Sequence, residues 1–165
     1  MIFTSFTYAY FFVFIFTLYW TVRNKTFQNL LILIASYLFY GWIHPWFCIL
    51  IASSTVVDYF CGLQMKKNPQ NKKTFLYISL AFNLGLLGFF KYFNFFADNV
   101  HFVLTQLGLT LEPFLLQIFL PVGISFYTFQ TLSYTIDIYR GELKPRTNFL
   151  DFAVFVSFFP QLVAG

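Results

Sequence analysis

The chain has 165 residues, of which 59% are hydrophobic, 25% aromatic and only 10% charged, and its formal net charge is +4. A soluble domain carries about 25% charged residues, so this composition excludes an ordinary water-exposed fold and predicts a protein whose solvent is lipid. The basic residues lie in short segments between apolar runs, which is typical of loops at a membrane surface and argues against a nucleic-acid partner.

Six apolar segments follow one another along the chain. A membrane-spanning helix needs about 17–25 predominantly apolar residues, and several of the segments are near the lower limit. In chain order they are Ser5–Val22, Phe27–Ile43, Trp46–Gln64, Thr74–Phe90, Phe114–Tyr139 and Leu150–Gly165. We therefore predict an all-α fold, a polytopic helical bundle in which residues 1–165 form a single transmembrane domain.

The stretch Tyr92–Leu109, between the fourth and fifth segments, mixes phenylalanines with Asn94, Asp98 and His101. This mixture favours a helix that lies along the membrane interface over a further span. The two cysteines, Cys48 and Cys61, fall in the third segment at positions about 20 Å apart on a helix. That separation is too large for a disulfide bond between them.

Alternation through six spans sorts the basic residues to one side of the bilayer. One side receives nine of the ten lysines and arginines, and the other receives only Lys91. Because cytoplasmic loops carry an excess of positive charge, we predict a multi-pass protein of the inner or plasma membrane with an extracytoplasmic amino terminus. The nine are Arg23, Lys25, Lys66, Lys67, Lys72, Lys73, Arg140, Lys144 and Arg146.

Asp58 is the acidic residue that lies deepest in a predicted span. A charge at the middle of a membrane helix costs about 2.5–3.5 kcal/mol on insertion scales, so Asp58 is expected to face the bundle or a wet cavity and to have a partner. Ser54 lies one turn earlier on the same face. Arg140 enters from the same side and is within reach as a partner. A structural ion pair and a role in handling substrate both remain open.

The fifth segment carries a stripe of polar side chains, spaced so that they share an arc of about 80° on the helix. Its members are Tyr127, Gln130, Tyr134 and Asp137. The opposite face carries Val122, Phe129, Leu132 and Ile136. We expect the stripe to face the bundle interior, where it either lines a substrate passage or hydrogen bonds neighbouring helices. Pro121 and Gly123, near the start of the segment, predict a kink or a break there.

The two histidines are poor candidates for catalysis. His44 lies beside Pro45 in a turn, and His101 lies in the predicted interfacial stretch. Neither has a carboxylate or a nucleophile at a useful spacing, and two distant histidines do not form a metal site. The residues therefore predict no catalytic residue, no metal site and no bound cofactor within the chain.

Several motifs resemble those of the membrane-bound O-acyltransferase family, in the branch of the alginate O-acetyltransferases and their relatives that act on peptidoglycan and teichoic acid. The resemblance covers almost the whole chain, and its longest motif, at 120–134, is the most specific. The motifs are Asp58-Tyr59 with Gly62, Phe90–Phe96, Leu120–Tyr134, Asp137–Gly141 and Phe158–Gly165.

The resemblance implies a ring of helices around a thin waist, where funnels from both membrane faces meet. It also implies an acyl donor, acetyl-CoA or an acyl carrier, that arrives from the cytoplasm. A hydroxyl of a cell-envelope polysaccharide would accept the group, which the resemblance implies is acetyl, with extracytoplasmic polysaccharide-modification proteins as partners. The family's acyl-transfer histidine lies in a carboxyl-terminal half that this chain does not reach, and neither His44 nor His101 aligns with it.

The expectation is therefore an amino-terminal portion of an O-acyltransferase that is inactive alone. Two other interpretations remain. The chain is either a non-catalytic scaffold of a polysaccharide export complex, or a transporter-like protein in which Asp58 and the polar stripe bind a solute. An inward-facing histidine downstream favours the enzyme, whereas a paired broken helix in a second half favours the transporter.

Overall fold

The computed structural model describes residues 6–42, 44–106, 121 and 123–164, without the side chains of residues 94, 163 and 164. Within these ranges the chain forms seven α-helices and a short 3-10 turn, and no strand. The prediction of an all-α bundle is confirmed. The start of the predicted fifth segment (114–120), Val122 and the terminal Gly165 lie outside the described residues.

The first two helices, α1 (Phe6–Thr21) and α2 (Lys25–Gly41), are joined by a tight basic turn. Asn24 caps α2, because its side chain accepts a hydrogen bond from the Thr26 backbone N–H at 2.9 Å. The Gln28 amide donates to the carbonyl of Tyr19 at 3.2 Å and to that of Val22 at 2.7 Å. These bonds satisfy carbonyls that the end of α1 leaves without a partner in the helix.

The third helix, α3 (Phe47–Lys67), is followed by a 3-10 turn (Pro69–Asn71) and by α4 (Lys72–Gln106). The predicted separate interfacial helix at Tyr92–Leu109 is wrong as far as Gln106, since α4 continues through it as one helix of 35 residues. Its polar residues do not interrupt the helix, because Asn99 donates to the Phe95 carbonyl at 2.6 Å and Thr105 donates to the His101 carbonyl at 2.8 Å. Residues 107–109 lie outside the described part.

The predicted break near Pro121 and Gly123 is the start of the next helix, α5 (Ile124–Arg140). Gly123 precedes α5 with a φ of 77°, and Gly141 follows it with a φ of 83°. At the carboxyl end, Glu142 N–H donates to the Asp137 carbonyl at 2.9 Å and Gly141 N–H to that of Ile138 at 3.1 Å. This pattern is the Schellman arrangement, in which glycine occupies the left-handed position at low cost.

The predicted single segment Leu150–Gly165 is instead two short helices, α6 (Phe149–Ser157) and α7 (Phe159–Ala164). Phe158 between them leaves the helical region, with a ψ of 106°. Proline at 160 cannot donate a hydrogen bond back into α6, so the chain gains little by continuing as one helix. The Phe159 N–H donates instead to the buried Ser36 hydroxyl on α2 at 3.2 Å.

The central helix of the bundle is α3, which packs against α4, α5 and α6, while α2 packs against α1, α6 and α7. One core cluster surrounds α3, and a smaller aromatic cluster joins Phe39 and Phe159 to Tyr8 and Phe11 on α1. Cys48 and Cys61 are free thiols, as the sequence predicts. The fold therefore buries Ser54, Thr55 and Asp58 of α3 in the interior of the bundle.

In the described part of the chain, two helices are long and apolar enough to cross a membrane, at Phe47–Lys67 and Pro69–Phe93. Two shorter apolar helices lie at Phe6–Thr21 and Phe149–Leu162. No residue of α1 is buried, and Trp20 exposes 68% of its surface. Large exposed apolar faces are unusual on a soluble monomer, and lipid is the solvent that suits them.

Candidate functional site

A cluster of polar side chains is enclosed between α3, α4 and α5, and none of them is more than 1% exposed. Each helix contributes two residues four positions apart, which places the pair on one helical face. We call this set the polar cluster. Its members are Ser54, Asp58, Ser79, Asn83, Thr131 and Thr135.

Asp58 is the acceptor at the centre of the polar cluster. One carboxylate oxygen, Oδ1, accepts from the Ser79 hydroxyl at 2.6 Å, and both oxygens lie 2.9 Å from the Asn83 amide nitrogen. The Thr131 hydroxyl, on α5, donates to the Thr128 carbonyl of its own helix at 3.1 Å. Hydrogen bonds to a charged group are stronger than neutral ones, and they offset part of the cost of burying it.

Asn83 connects the polar cluster internally. Its amide nitrogen also donates to the Ser79 carbonyl at 2.9 Å, while its side-chain oxygen accepts from the Ser54 hydroxyl at 2.5 Å. The Ser79 hydroxyl lies 3.1 Å from that of Thr135. Every polar atom of Asn83 is thus satisfied by α3 or α4, and such connected networks fix one arrangement of the helices.

The structure does not pair Asp58 with Arg140, and this expectation requires correction. Arg140 is exposed at the end of α5, and no ion pair joins the two residues in the described chain. The neutral donors Ser79 and Asn83 take the place of the predicted cation. Both donors lie on α4, which packs directly against α3. Arg140 lies at the surface of the bundle, where water solvates its charge.

The stripe on α5 is only partly buried. Tyr127 and Tyr134 are 1% and 4% exposed and face the interior, whereas Gln130 and Asp137 lie at the edge of the buried face and are half-buried. The Tyr134 hydroxyl accepts from the Arg146 backbone N–H at 3.0 Å, and the Gln130 amide donates to the Phe155 carbonyl at 2.9 Å. Two members of the stripe therefore already bond neighbouring segments.

On the opposite face of α5, Phe129 is 60% exposed, as expected of a residue that meets lipid, and Ile136 is half-buried. Leu132 also lies opposite the stripe, but it is only 4% exposed, so that face is partly buried. The buried face of α5 is centred on Thr131 and Thr135. With a turn of about 100° per residue, this centre lies roughly 100° around the helix from the centre of the predicted stripe. The threonines therefore indicate the buried face of α5 better than the tyrosines and the glutamine do.

Tyr127 differs from the rest of the buried polar groups. Its hydroxyl is buried and has no hydrogen-bond partner in the described part of the chain. An unsatisfied buried hydroxyl costs about 1–3 kcal/mol, so such a group is rarely kept without a use. Tyr127 follows the break at Gly123, at the amino-terminal end of α5.

Four members of the polar cluster were not predicted from the sequence: Ser79, Asn83, Thr131 and Thr135. The sequence does contain a signal for this cluster, since each of the three helices carries two polar residues four positions apart. The pairs are Ser54 and Asp58, Ser79 and Asn83, and Thr131 and Thr135. Hydrogen-bonding side chains one turn apart in three apolar helices predict that the helices meet along those faces. Threonine and serine are weak signals of helix contact, because their hydroxyls readily bond carbonyls of their own helix.

Neither histidine belongs to the polar cluster. The His44 ring makes an edge contact with Phe47 at 5.1 Å between centroids, and His101 is exposed on α4. Among the residues that the structure describes, no group of three His, Cys, Asp or Glu side chains is placed to hold a metal ion.

Curated relatives match the chain over its whole length. A protein named probable alginate O-acetylase from Pseudomonas aeruginosa is 40% identical over 100% of this chain and 32% of its own length. Its namesake from Pseudomonas putida is 39% identical over 100% of this chain and 34% of its own length. A peptidoglycan O-acetyltransferase from Helicobacter pylori is 34% identical over 87% of this chain and 31% of its own length.

The chain therefore spans about a third of the length of the curated relatives that it matches. No family model matches it, and no solved structure matches it significantly.

Proposed function

Because the chain belongs to the membrane-bound O-acyltransferase family of these O-acetylases, we propose that it is part of an enzyme that acetylates hydroxyl groups of a cell-envelope polysaccharide. The observation that carries this proposal is the 40% identity to an alginate O-acetylase over the whole chain. The acceptor class follows from the names of the relatives, of which alginate is one and peptidoglycan another.

The proposed reaction moves an acetyl group from a thioester to an alcohol. The acetyl carbon–sulfur bond of acetyl-CoA or of an acyl carrier breaks, a carbon–oxygen bond to the polysaccharide forms, and the hydroxyl proton leaves with the thiol. In this scheme the donor approaches from the cytoplasm and the acceptor from outside, where further polysaccharide-modification proteins present it. The described residues contribute the shape and polarity of the passage between the two.

The buried arrangement of α3, α4 and α5 favours a structural role for Asp58 over a solute-binding one. The donors that surround the Asp58 carboxylate belong to the protein itself, chiefly Ser79 and Asn83. A transported solute would have to replace them. The buried Tyr127 hydroxyl, by contrast, has no partner among the described residues, and we propose it as the group that meets a substrate.

The charge distribution supports a cytoplasmic location for one end of the bundle. Lys72, at the start of α4, lies over the Tyr139 ring at 5.4 Å, so the basic loop after α3 meets the end of α5. The Tyr59 hydroxyl donates to the Thr147 carbonyl at 2.6 Å and brings the loop after α5 to the same end. Basic loops gathered at one end are typical of the cytoplasmic side.

This topology predicts the labelling of single cysteines in a protein that lacks Cys48 and Cys61. A cysteine at Asn71, in the basic loop, is expected to resist an impermeant thiol reagent added to intact cells and to react after the cells are opened. A cysteine at Phe6, at the start of α1, is the matched control and is expected to react from outside. Reaction of the cysteine at position 71 in intact cells contradicts the proposed orientation.

Replacing Tyr127 with phenylalanine separates a substrate-binding hydroxyl from a structural one. Because this hydroxyl has no partner among the residues that the structure describes, its removal is expected to leave the free energy of unfolding unchanged or to raise it by about 1 kcal/mol. Acetyl transfer by the full-length protein is expected to fall by about tenfold or more, as happens when a hydrogen bond to the reacting groups is lost.

Tyr134→Phe is the matched control, because the Tyr134 hydroxyl accepts from the Arg146 N–H. It is expected to lower the free energy of unfolding by about 1 kcal/mol. Unchanged transfer by the Tyr127→Phe protein would show that this hydroxyl takes no part in the reaction.

The function itself is tested by deletion of the gene. Ester-linked acetate, released from purified envelope polysaccharides by mild alkali, is expected to disappear from one polysaccharide class and to return when the gene is restored. Unchanged ester acetate in uronate polymers and in peptidoglycan alike would contradict the proposal for both acceptors.

A further inference from the structure

A cavity of about 370 Å³ lies between the end of α5, the loop that follows it and the first turns of α6. We call it the loop pocket. Ligand sites in proteins are typically roughly 300–1,000 Å³, so its volume suits a small group or a lipid headgroup. The residues that line it are Tyr134, Leu143, Arg146, Asp151, Phe152 and Phe155.

Two opposite charges line the loop pocket without neutralising each other. Arg146 and Asp151 both border it, yet no ion pair joins them in the described chain. Each is held in place by another contact, since the Arg146 backbone N–H donates to the Tyr134 hydroxyl at 3.0 Å and Asp151 Oδ1 accepts from the Asn29 amide at 2.8 Å. The guanidinium and the Asp151 Oδ2 atom are therefore left for a ligand with both a negative and a positive group.

The remaining walls of the loop pocket are apolar and reach the outside of the bundle. Phe152 is buried beneath the pocket, whereas Phe155 is 46% exposed and Leu143 is 38% exposed. The Gln130 amide fixes the backbone of this wall through its bond to the Phe155 carbonyl. An acyl chain that enters beside Phe155 finds an apolar contact next to the charged floor.

We propose that the loop pocket binds the headgroup of a phospholipid that carries phosphoethanolamine, with the phosphate on Arg146 and the ammonium on Asp151. The proposal rests on the topology given above, which puts this loop at the cytoplasmic headgroup layer. A purely anionic headgroup meets repulsion from Asp151. A choline headgroup has no N–H to donate to the carboxylate, whereas the ethanolamine ammonium has three.

The test measures lipid binding by the full-length protein in detergent micelles. The unfolding temperature of the protein is recorded as the concentration of added lipid is raised. Four probes are compared: dihexanoyl phosphatidylethanolamine, dihexanoyl phosphatidylglycerol, dihexanoyl phosphatidylcholine and water-soluble phosphoethanolamine. The first is expected to bind about threefold to fivefold more tightly than the other lipids, since each partly exposed charge contact contributes modestly. Free phosphoethanolamine is expected to cause no shift, because it makes no contact with Phe155.

Two variants and a control assign this preference to the loop pocket. Arg146→Gln is expected to weaken binding of both phosphatidylethanolamine and phosphatidylglycerol. Asp151→Asn is expected to abolish the discrimination between them while it still accepts from Asn29. Lys144→Gln, an exposed cation two positions from Arg146 that does not line the pocket, is expected to change neither.

Equal binding of the lipids, a preference that survives Asp151→Asn, or an equal effect of free phosphoethanolamine overturns the lipid site. All variants are also assayed for acetyl transfer. Intact transfer without lipid preference contradicts the lipid site alone, and lipid preference in a protein that transfers no acetyl group contradicts the proposed function alone.

Discussion

Replacement of Asp58 by alanine is expected to lower the free energy of unfolding of the bundle by about 2–4 kcal/mol, because it strands two buried polar groups. The Ser79 hydroxyl and one Asn83 N–H donate to the Asp58 carboxylate. Solvent water cannot replace the carboxylate as their acceptor, because both residues are at most 1% exposed. Hydrogen bonds between membrane helices contribute about 0.6 kcal/mol on average. The larger loss expected here depends on the complete burial of the groups that Asp58 leaves without a partner. The measurement is denaturant-induced unfolding of the protein in detergent.

Two further variants give this prediction its controls. Asp58→Asn keeps the shape but sets an amide donor against the Asn83 amide nitrogen, 2.9 Å from the replaced oxygen, and is expected to have an intermediate effect. Asp98→Ala removes an exposed aspartate from α4 and is expected to change stability by less than about 0.5 kcal/mol. Similar small changes for Asp58→Ala and Asp98→Ala would show that the polar cluster contributes little to folding.

Gly123→Ala is expected to prevent the close contact between the start of α5 and α7, at a cost of about 2–4 kcal/mol. Gly123 has a φ of 77°, which strains any residue with a Cβ atom, and an added Cβ also overlaps the Leu162 backbone carbonyl oxygen. A backbone atom cannot move aside as the end of a side chain can. Thermal unfolding and the amount of folded protein in the membrane both report the loss.

The other glycines separate the two causes. Gly141 has a φ of 83° but no atom within 4 Å of an added Cβ, so Gly141→Ala is expected to cost only the strain, about 1–2 kcal/mol. Gly88, inside α4, also has open space around it, and Gly88→Ala is expected to stabilise the helix by about 0.5–1 kcal/mol. Equal losses for Gly123→Ala and Gly141→Ala would mean that the overlap with Leu162 has no effect.

The fold class and the helix boundaries near strong signals were predictable from sequence. Asn24 and the basic residues beside it marked the turn between α1 and α2, and Gly123 marked the start of α5. The continuation of α4 was not predictable in the same way. Asn99 and Thr105 look like interface residues in the sequence, but they bond carbonyls of their own helix, so polarity did not indicate a break.

The candidate site was predicted in part. The cost of a charge in lipid correctly placed Asp58 in the interior, but not the identity of its partners. Ser79 and Asn83 meet Asp58 only because α3 and α4 pack antiparallel around the turn at Pro69–Asn71, and that register depends on tertiary packing. Tyr127 was identified from spacing, yet the lack of a partner for its hydroxyl among the described residues is visible only once the surrounding side chains are in place.

Transfer of labelled acetyl across sealed membrane vesicles tests the central claim most directly. Right-side-out vesicles that contain the full-length protein are loaded with radiolabelled acetyl-CoA or acetylated carrier, and de-esterified alginate or peptidoglycan is supplied outside. We expect alkali-labile label on one external polysaccharide, reduced about tenfold or more in Tyr127→Phe vesicles that hold the same amount of folded protein. External polysaccharide that gains no label, from vesicles in which donor and folded protein are both present, would contradict the central claim.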